Sequence, residues 1–422
     1  MKNTYSYLIY FFIAVFLIGT AGCNKKSNIS KPEEEVISLI DEEIESDVPV
    51  TIQLSGSKDY EHTFKFTDLV EKVEYIPLET TDDCLLGDET SVIKFTEEFI
   101  FIKYNGSLYL FDRQGKFIRR INRQGQGPGE CYAKDIGIDE TNRLIYIFDN
   151  RTLSVNIFDF NGSFIKKINN PLKNEQSPFF MDCDKNGNVL YTFSNGYGNM
   201  KYKYVVMNNE GEILYKCPNY DIYNLKDKIQ NITLYPNVIY KYKDRSYYMY
   251  SKNDTVFRLN DDYSCSPAWI IRIPNRATLE DELKTGAEIV DYSALSGKNY
   301  FGGIKESRHN VYIFHSHRVS VEETRGFLSI YNKQTGQLTE NIDRFIQNDW
   351  DGGIPVEIRF TIEQKENEFY ILLWPFKMKE QFTDAYFSVV KAKYPEAQKT
   401  LQTMVKSLNE NDNPVIMIIT LK

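Results

Sequence analysis

An internal repeat constrains this chain more than any other feature. Ser107 to Ile121 reads SLYLFDRQGKFIRRI, and Ser154 to Ile168 reads SVNIFDFNGSFIKKI. The hydrophobic places coincide, and so do a Phe-Asp pair, a Gly-x-Phe-Ile run and a basic pair. Asp112 and Asp159 lie 47 residues apart; weaker copies put Asn208 49 residues further on, Asn260 52 further and Asn332 72 further. Every copy reads as a strand, a tight polar turn and a second strand. Asp or Asn followed closely by Gly supplies the positive φ that such a turn needs.

Another pair of strand patterns precedes each copy, as in DIGIDETNRLIYIFDN and FMDCDKNGNVLYTFSN. Four strands in about 45 to 50 residues is the period of a propeller blade. Five copies between about Thr90 and Ile346 make five blades, and Pro355 to Phe376 supplies strands of a sixth. The missing strands must come from the chain ends, FKFTDLVEKVEYIPLE at the front and PVIMIITLK at the back. Pairing front with back closes the ring and removes exposed sheet edges. Between them, Phe382 to Leu408 reads as helix: Leu401, Met404, Val405 and Leu408 recur at helical spacing, and Pro395 breaks or kinks it. The expectation is an all-β, six-bladed propeller of four-stranded antiparallel blades over residues 51–422, with a short C-terminal helix.

The front of the chain reads as targeting sequence. Lys2 is followed by an uncharged run from Leu8 to Ile18, too short to span a bilayer, which takes about 20 residues. Thr20-Ala21-Gly22-Cys23 resembles a lipobox, so residues 1–22 are expected to be a lipoprotein signal peptide and Cys23 the lipidated residue. Residues 23–50 carry an acidic excess and read as a solvated tether between lipid and folded body. The net charge of −9 argues against a nucleic-acid binder, which would show a basic patch or stripe. Of six cysteines, Cys84, Cys131, Cys183, Cys217 and Cys265 remain after Cys23, none in C-x-x-C spacing. They read as small buried side chains, with room for one disulfide.

The stretch NRQGQGPGEC, Asn122 to Cys131, has glycines at 125, 127 and 129 but lacks G-x-G-x-x-G spacing, and Pro128 removes a donor. A strand pattern follows it, so it reads as an inter-blade loop and no phosphate or nucleotide cofactor is expected. Together with DIGIDETNRLIYIFDN and VNIFDFNGSFIKKI it resembles the NHL repeat. It is closer still to the six-bladed NHL/TolB-like propeller lipoproteins of Bacteroidetes. LVEKVEYIPLET, QGQGPGE, NDWDGG and NDNPVIMIITLK look like that family's markers; Cys131 departs from it, where an aromatic is usual, with Tyr132 one place later. The resemblance implies the fold and a place in the cell envelope, on the outer membrane. It does not imply a function, since function lives in the site and not in the fold.

Four places could carry chemistry at a propeller mouth. His315 and His317 alternate on a strand and share a face, but no third ligand of a zinc site is visible, so no metal is expected. Asp349 and Asp351 flank Trp350 in NDWDGG, which reads as an Asx turn ahead of a calcium loop, with Trp350 able to stack on a sugar ring. Arg123 and Glu130 flank the glycine loop and Tyr132 follows; they read as an inter-blade salt bridge or a polar ligand site. No nucleophile elbow or His-Glu-x-x-His occurs, and no carboxylate pair for glycoside cleavage can be located. The expectation is a lipid-anchored envelope module that binds a protein or carbohydrate. Its rival is a lyase or glycosidase working in the channel, which a clustering of His315, His317, Asp349 and Asp351 around one cavity would favour.

Overall fold

The computed structural model describes residues 48–56, 60–87, 90, 92–172, 178–224, 238–243, 245–250, 253–284, 292–358 and 363–422. The residues read as a signal peptide, Cys23 and nearly all of the segment read as a tether lie outside them. Six sheets form a six-bladed β-propeller. Blade 1 runs Val92–Phe95, Phe99–Tyr104, Ser107–Asp112 and Phe117–Arg120, from the axis outward. Blade 2 runs Asp135–Asp139, Leu144–Asp149, Ser154–Asp159 and Phe164–Asn169, and blade 3 Phe180–Cys183, Val189–Thr192, Tyr202–Met207 and Ile213–Pro218. Blade 4 comprises Val238–Tyr242, Arg245–Met249, Thr255–Leu259 and Cys265–Arg272, and blade 5 Asn299–Glu306, Asn310–Arg318, Thr324–Asn332 and Leu338–Glu340.

Blade 6 joins the two ends of the chain, as the strand count requires. Val415–Leu421 lies between Glu368–Leu373 and Val70–Pro77 and pairs antiparallel with both. Glu363–Lys365 completes the blade on the axis side. Phe66–Leu69, read as strand, is instead a helical turn, because the Asp68 carboxylate turns back to accept the Lys65 N–H at 3.3 Å. A second departure is Val50–Gln53, a fifth strand that pairs in parallel with the outer strand of blade 4, Val50 opposite Trp269. Ile52 is buried while Thr51 and Gln53 are exposed, so this short strand covers an edge with one apolar face.

The repeated turns share one chemistry. Asp112 Oδ1 accepts the N–H groups of Gln114 and Lys116, and Asn208 Oδ1 accepts those of Glu210 and Glu212. In the Asn260 copy the left-handed position is held by Tyr263 (φ 64°) and not by glycine. That tyrosine is kept there by its neighbour blade: its hydroxyl donates to Asp184 at 2.7 Å.

The segment read as helix, Phe382 to Leu408, holds two helices, Asp384–Val389 and Pro395–Ser407, and a third, Pro375–Gln381, precedes it. Leu401 and Val405 bury against Phe382, Val415 and Met417 in the core of blade 6. Pro395 starts the last helix; its missing N–H is one that a helix N-terminus leaves unpaired anyway.

Candidate ligand-binding face

In each blade the turns joining second to third strands, and the loops joining one blade to the next, lie at the same end. All eight predicted site residues map to that end or to strands that run toward it. The glycine loop is one such inter-blade loop. Its glycines serve Glu130: a Cβ at Gly125 would stand 1.9 Å from the Glu130 carboxylate, which accepts the Gly127 N–H at 2.9 Å. Arg123 and Glu130 are linked through the backbone, and Cys131 N–H donates to the Arg123 carbonyl at 2.9 Å. Tyr132 is half-buried, with the Arg151 guanidinium 4.7 Å from its ring centre.

The NDWDGG loop binds the chain to itself. Asp349 accepts from the backbone and hydroxyl of Thr67 at 3.0 and 2.7 Å. Asp351, buried, accepts from the Tyr75 hydroxyl at 2.7 Å and the Gly353 N–H at 2.8 Å. Burial raises the Asp351 carboxyl above the ordinary range, and these donors hold it back in part. Trp350 packs on Tyr394 with centroids 4.3 Å apart, and the Asp349 and Trp350 carbonyls accept from Lys393 and Tyr394. Asn348 Oδ1 closes the turn on Trp350 N–H at 3.2 Å.

His315 and His317 are both buried on the second strand of blade 5. His315 Nε2 pairs with the Ser329 hydroxyl at 2.8 Å, and its ring stacks on Phe327. Burial drives its pKa down to about 4, so the ring is neutral near pH 7. His317 Nδ1 pairs with Asn299 Oδ1 at 2.8 Å. A cavity of about 140 Å³ beside His315 is lined also by Phe327, Arg344 and Glu357. His315 and His317 therefore stand in blade 5 networks, and Asp349 and Asp351 in the loop before blade 6. Among the described residues, no group of three or more His, Cys, Asp or Glu is placed to hold a metal ion.

Three features escaped the sequence reading. The first is an ion cluster at the axis: Asp182 of blade 3 pairs with Lys94 of blade 1 at 3.3 Å and Lys241 of blade 4 at 3.1 Å. Blades 1 and 4 are opposite in a ring of six, so one carboxylate that reaches both bridges the channel. Burial pushes the Asp182 carboxyl up, but Lys241 and Lys94 outweigh it and leave it below the ordinary range. The second is a buried asparagine after the outer strand in four blades: Asn122, Asn170, Asn219 and Asn341. Asn122 accepts the Leu108 N–H and donates to the Gly106 and Cys131 carbonyls, stitching one blade to the next loop. Its signal was present, an Asn some ten residues after the turn Asp or Asn in those four copies, as in Asp112 to Asn122.

The third is a pair of exposed tyrosines on neighbouring loops of blade 3. Tyr197 is 56 % exposed and Tyr220 83 % exposed, with Ile222 also exposed. Their loops are tied together: Tyr223 N–H donates to the Gly198 carbonyl at 3.0 Å, and Asn195 Nδ2 to the Asp221 carbonyl at 2.6 Å. Asn219 Nδ2 reaches the Met200 carbonyl at 2.9 Å, so the pair stands on the buried asparagine of its blade.

A protein of Bacteroides fragilis assigned as exported superposes with a TM-score of 0.67 at 18 % identity, over 89 % of this chain and 100 % of its own. A member of the DUF4221 family from Bacteroides vulgatus follows at 0.49 and 10 % identity, over 84 % and 97 %. Virginiamycin B lyase from Staphylococcus aureus gives 0.36 at 13 % identity, over 64 % and 73 %. At 18 % identity the likeness to the exported protein is one of fold. No curated protein matches the chain. Residues 49–420 match the family described as Domain of unknown function (DUF4934), and the chain belongs to that family.

Proposed function

We propose that this chain is a lipid-anchored module of the cell envelope that binds carbohydrate on the loop face of blade 3. The exposed rings of Tyr197 and Tyr220, held on loops fixed by hydrogen bonds, carry the reading. An aromatic face presents a flat apolar surface to a sugar ring, and a preformed platform loses little entropy when it binds. Asp221 and Lys203 border it with polar groups, and Lys203 lies 3.7 Å from Asp221. Exposed apolar patches with polar rims mark interaction sites.

Clustering of His315, His317, Asp349 and Asp351 around one cavity would favour the rival enzyme; the histidines bond within blade 5 and the aspartates to Thr67 and Tyr75, which favours binding. The export reading rests on the sequence before Cys23 and agrees with the exported Bacteroides relative of the same fold. Cys23 carries the lipid in this proposal, with the acidic segment as its tether.

The test is to titrate the purified chain with a panel of envelope and plant polysaccharides, and to assay the same mixtures for product. Saturable binding that weakens about tenfold or more in Tyr197→Ala or Tyr220→Ala, with unchanged melting temperature, supports the proposal; tenfold is about 1.4 kcal/mol. Product formation lost in His315→Ala or Asp351→Ala would replace it with the enzyme reading.

A further inference from the structure

A cavity of about 410 Å³ lies between blades 3 and 4, at the end of the ring opposite the loop face. Its walls are turns that join first to second strands and third to fourth strands. Blade 3 gives Asp184, Lys185 and Asn186; blade 4 gives Arg245 and Ser246 and, from its outer turn, Asp261 and Tyr263. Leu190, Val206 and Leu259 add apolar surface. The volume lies in the range of small-molecule sites, about 300–1,000 Å³. Tyr263 sets this place apart from the other blades. The matching turns of blades 1, 2, 3 and 5 put Gly115, Gly162, Gly211 and Gly336 in the left-handed conformation. Blade 4 puts a tyrosine there, at φ 64°. Such strain persists only where surroundings hold it, and it gathers at ligand sites. Here the Tyr263 hydroxyl donates to Asp184 at 2.7 Å and its carbonyl accepts from the Tyr204 hydroxyl at 2.7 Å, so the residue is fixed from two sides as a wall of the cavity.

We infer that this cavity binds a monosaccharide-sized sugar acid, with its carboxylate on Lys185 and Arg245 and its ring on Tyr263 and the apolar surface. Charge selects the acid. Asp184 Oδ1 accepts the Asn186 and Asn188 N–H groups, each at 2.8 Å, and Oδ2 accepts the Tyr263 hydroxyl and the Asn188 amide. Both its oxygens are thus taken up within the wall. That leaves Asp261 as the exposed carboxylate against two exposed cations, Lys185 and Arg245. The balance favours one negative charge on the ligand. The remaining lining selects the body that carries it. Asn186 and Ser246 offer amide and hydroxyl groups to sugar hydroxyls, while Tyr263, Leu190, Val206 and Leu259 offer surface to a ring face. A purely aromatic acid would use the same cations and apolar surface but leave those polar groups unpaired.

Tyr197 and Tyr220 stand on loops at the other end of blade 3, so this is a second site. It does not rest on the loop-face reading.

The experiment titrates the purified chain with glucuronate, glucose and phenylacetate at one ionic strength, by calorimetry and ligand-observed NMR. Glucuronate should bind saturably, about tenfold or more tighter than either of the others. Lys185→Gln with Arg245→Gln should weaken glucuronate about tenfold. Both side chains are exposed, so the melting temperature should hold. Tyr263→Gly restores the residue of the matching turns, keeps the fold and should weaken glucuronate about fivefold. Tyr220→Ala should leave glucuronate binding as it is. The inference is overturned if glucose or phenylacetate binds as tightly as glucuronate, or if glucuronate shows no saturation. It is equally overturned if the double variant or Tyr263→Gly binds glucuronate like the wild type, or if Tyr220→Ala abolishes binding, which would place the sugar acid on the loop face.

Discussion

The Tyr75 hydroxyl donates to the Asp351 carboxylate at 2.7 Å, across 276 residues of sequence. Tyr75 lies on the outer strand of blade 6 and Asp351 in the loop that leads into that blade. A buried carboxylate is stable only with donors, and this one has the phenol and one backbone N–H. Tyr75→Phe removes the phenol and should destabilise the fold by about 2 kcal/mol, read as a lowered denaturant midpoint. Tyr75→Phe with Asp351→Asn should cost less than the sum of the two single changes, because the charge left unpaired has gone. Strict additivity would mean that the pair is not coupled.

Acid should reveal His315. Its folded pKa of about 4 lies below the ordinary value near 6.5, so the unfolded chain binds more protons between those values. The stability it contributes is fully present above about pH 6.5 and is lost as pH falls toward 4, roughly 3 kcal/mol in all. Asp135 acts in the opposite sense: burial raises its pKa from 3.8 to about 6, so its folded form gains relative stability as pH falls through 6. Unfolding free energies of wild type and His315→Leu between pH 7 and 4 check this. The variant should show the flatter or reversed slope, and parallel curves would contradict it.

Closure of the ring has a direct test. Val415–Leu421 is an interior strand, with partners on both sides. Deleting residues 414–422 exposes two sheet edges inside one blade and strips Val415, Met417 and Ile419 from the core. The truncated chain should lose its cooperative melt and become sensitive to protease throughout. An unchanged melting temperature would show that the ring does not depend on this strand.

The axial cluster should respond to the loss of its acid. Asp182→Ala leaves Lys94 and Lys241 facing one another and should cost about 3–5 kcal/mol, measured by chemical denaturation. Adding Lys94→Met and Lys241→Met should restore much of it, because apolar side chains need no counter-charge. Failure of the triple variant to recover would point to a different role for the lysines.

Blade 3 carries the functional prediction. Tyr220→Ala should weaken polysaccharide binding about tenfold while leaving the melting temperature within about 1 °C, because an exposed ring contributes little to the core. Binding equal to wild type would remove the platform from the proposal.

The blades were legible because hairpins are local. A turn such as Asp112 to Gly115 encodes its hydrogen bonds in a few neighbouring residues, and alternating strands on either side declare which face is buried. The same logic, counted to a remainder, put Val70–Pro77 and Val415–Leu421 in one blade. Locality also explains where the reading stopped. Tyr263 occupies a glycine's conformation while Asp184, 79 residues away, accepts its hydroxyl, a partner no local pattern announces. Asp349 and Asp351 read as an Asx turn, and only folding brought Thr67 and Tyr75 to their carboxylates. Lys94, Asp182 and Lys241 sit on three strands that show no common pattern, and meet only because a closed ring brings its inner strands to one axis. Sequence by itself determined the repeat, the turn chemistry and the closure. Tertiary structure alone decided which polar side chains are spent on holding blades together and which aromatic rings are left facing water, because both depend on neighbours distant in the chain.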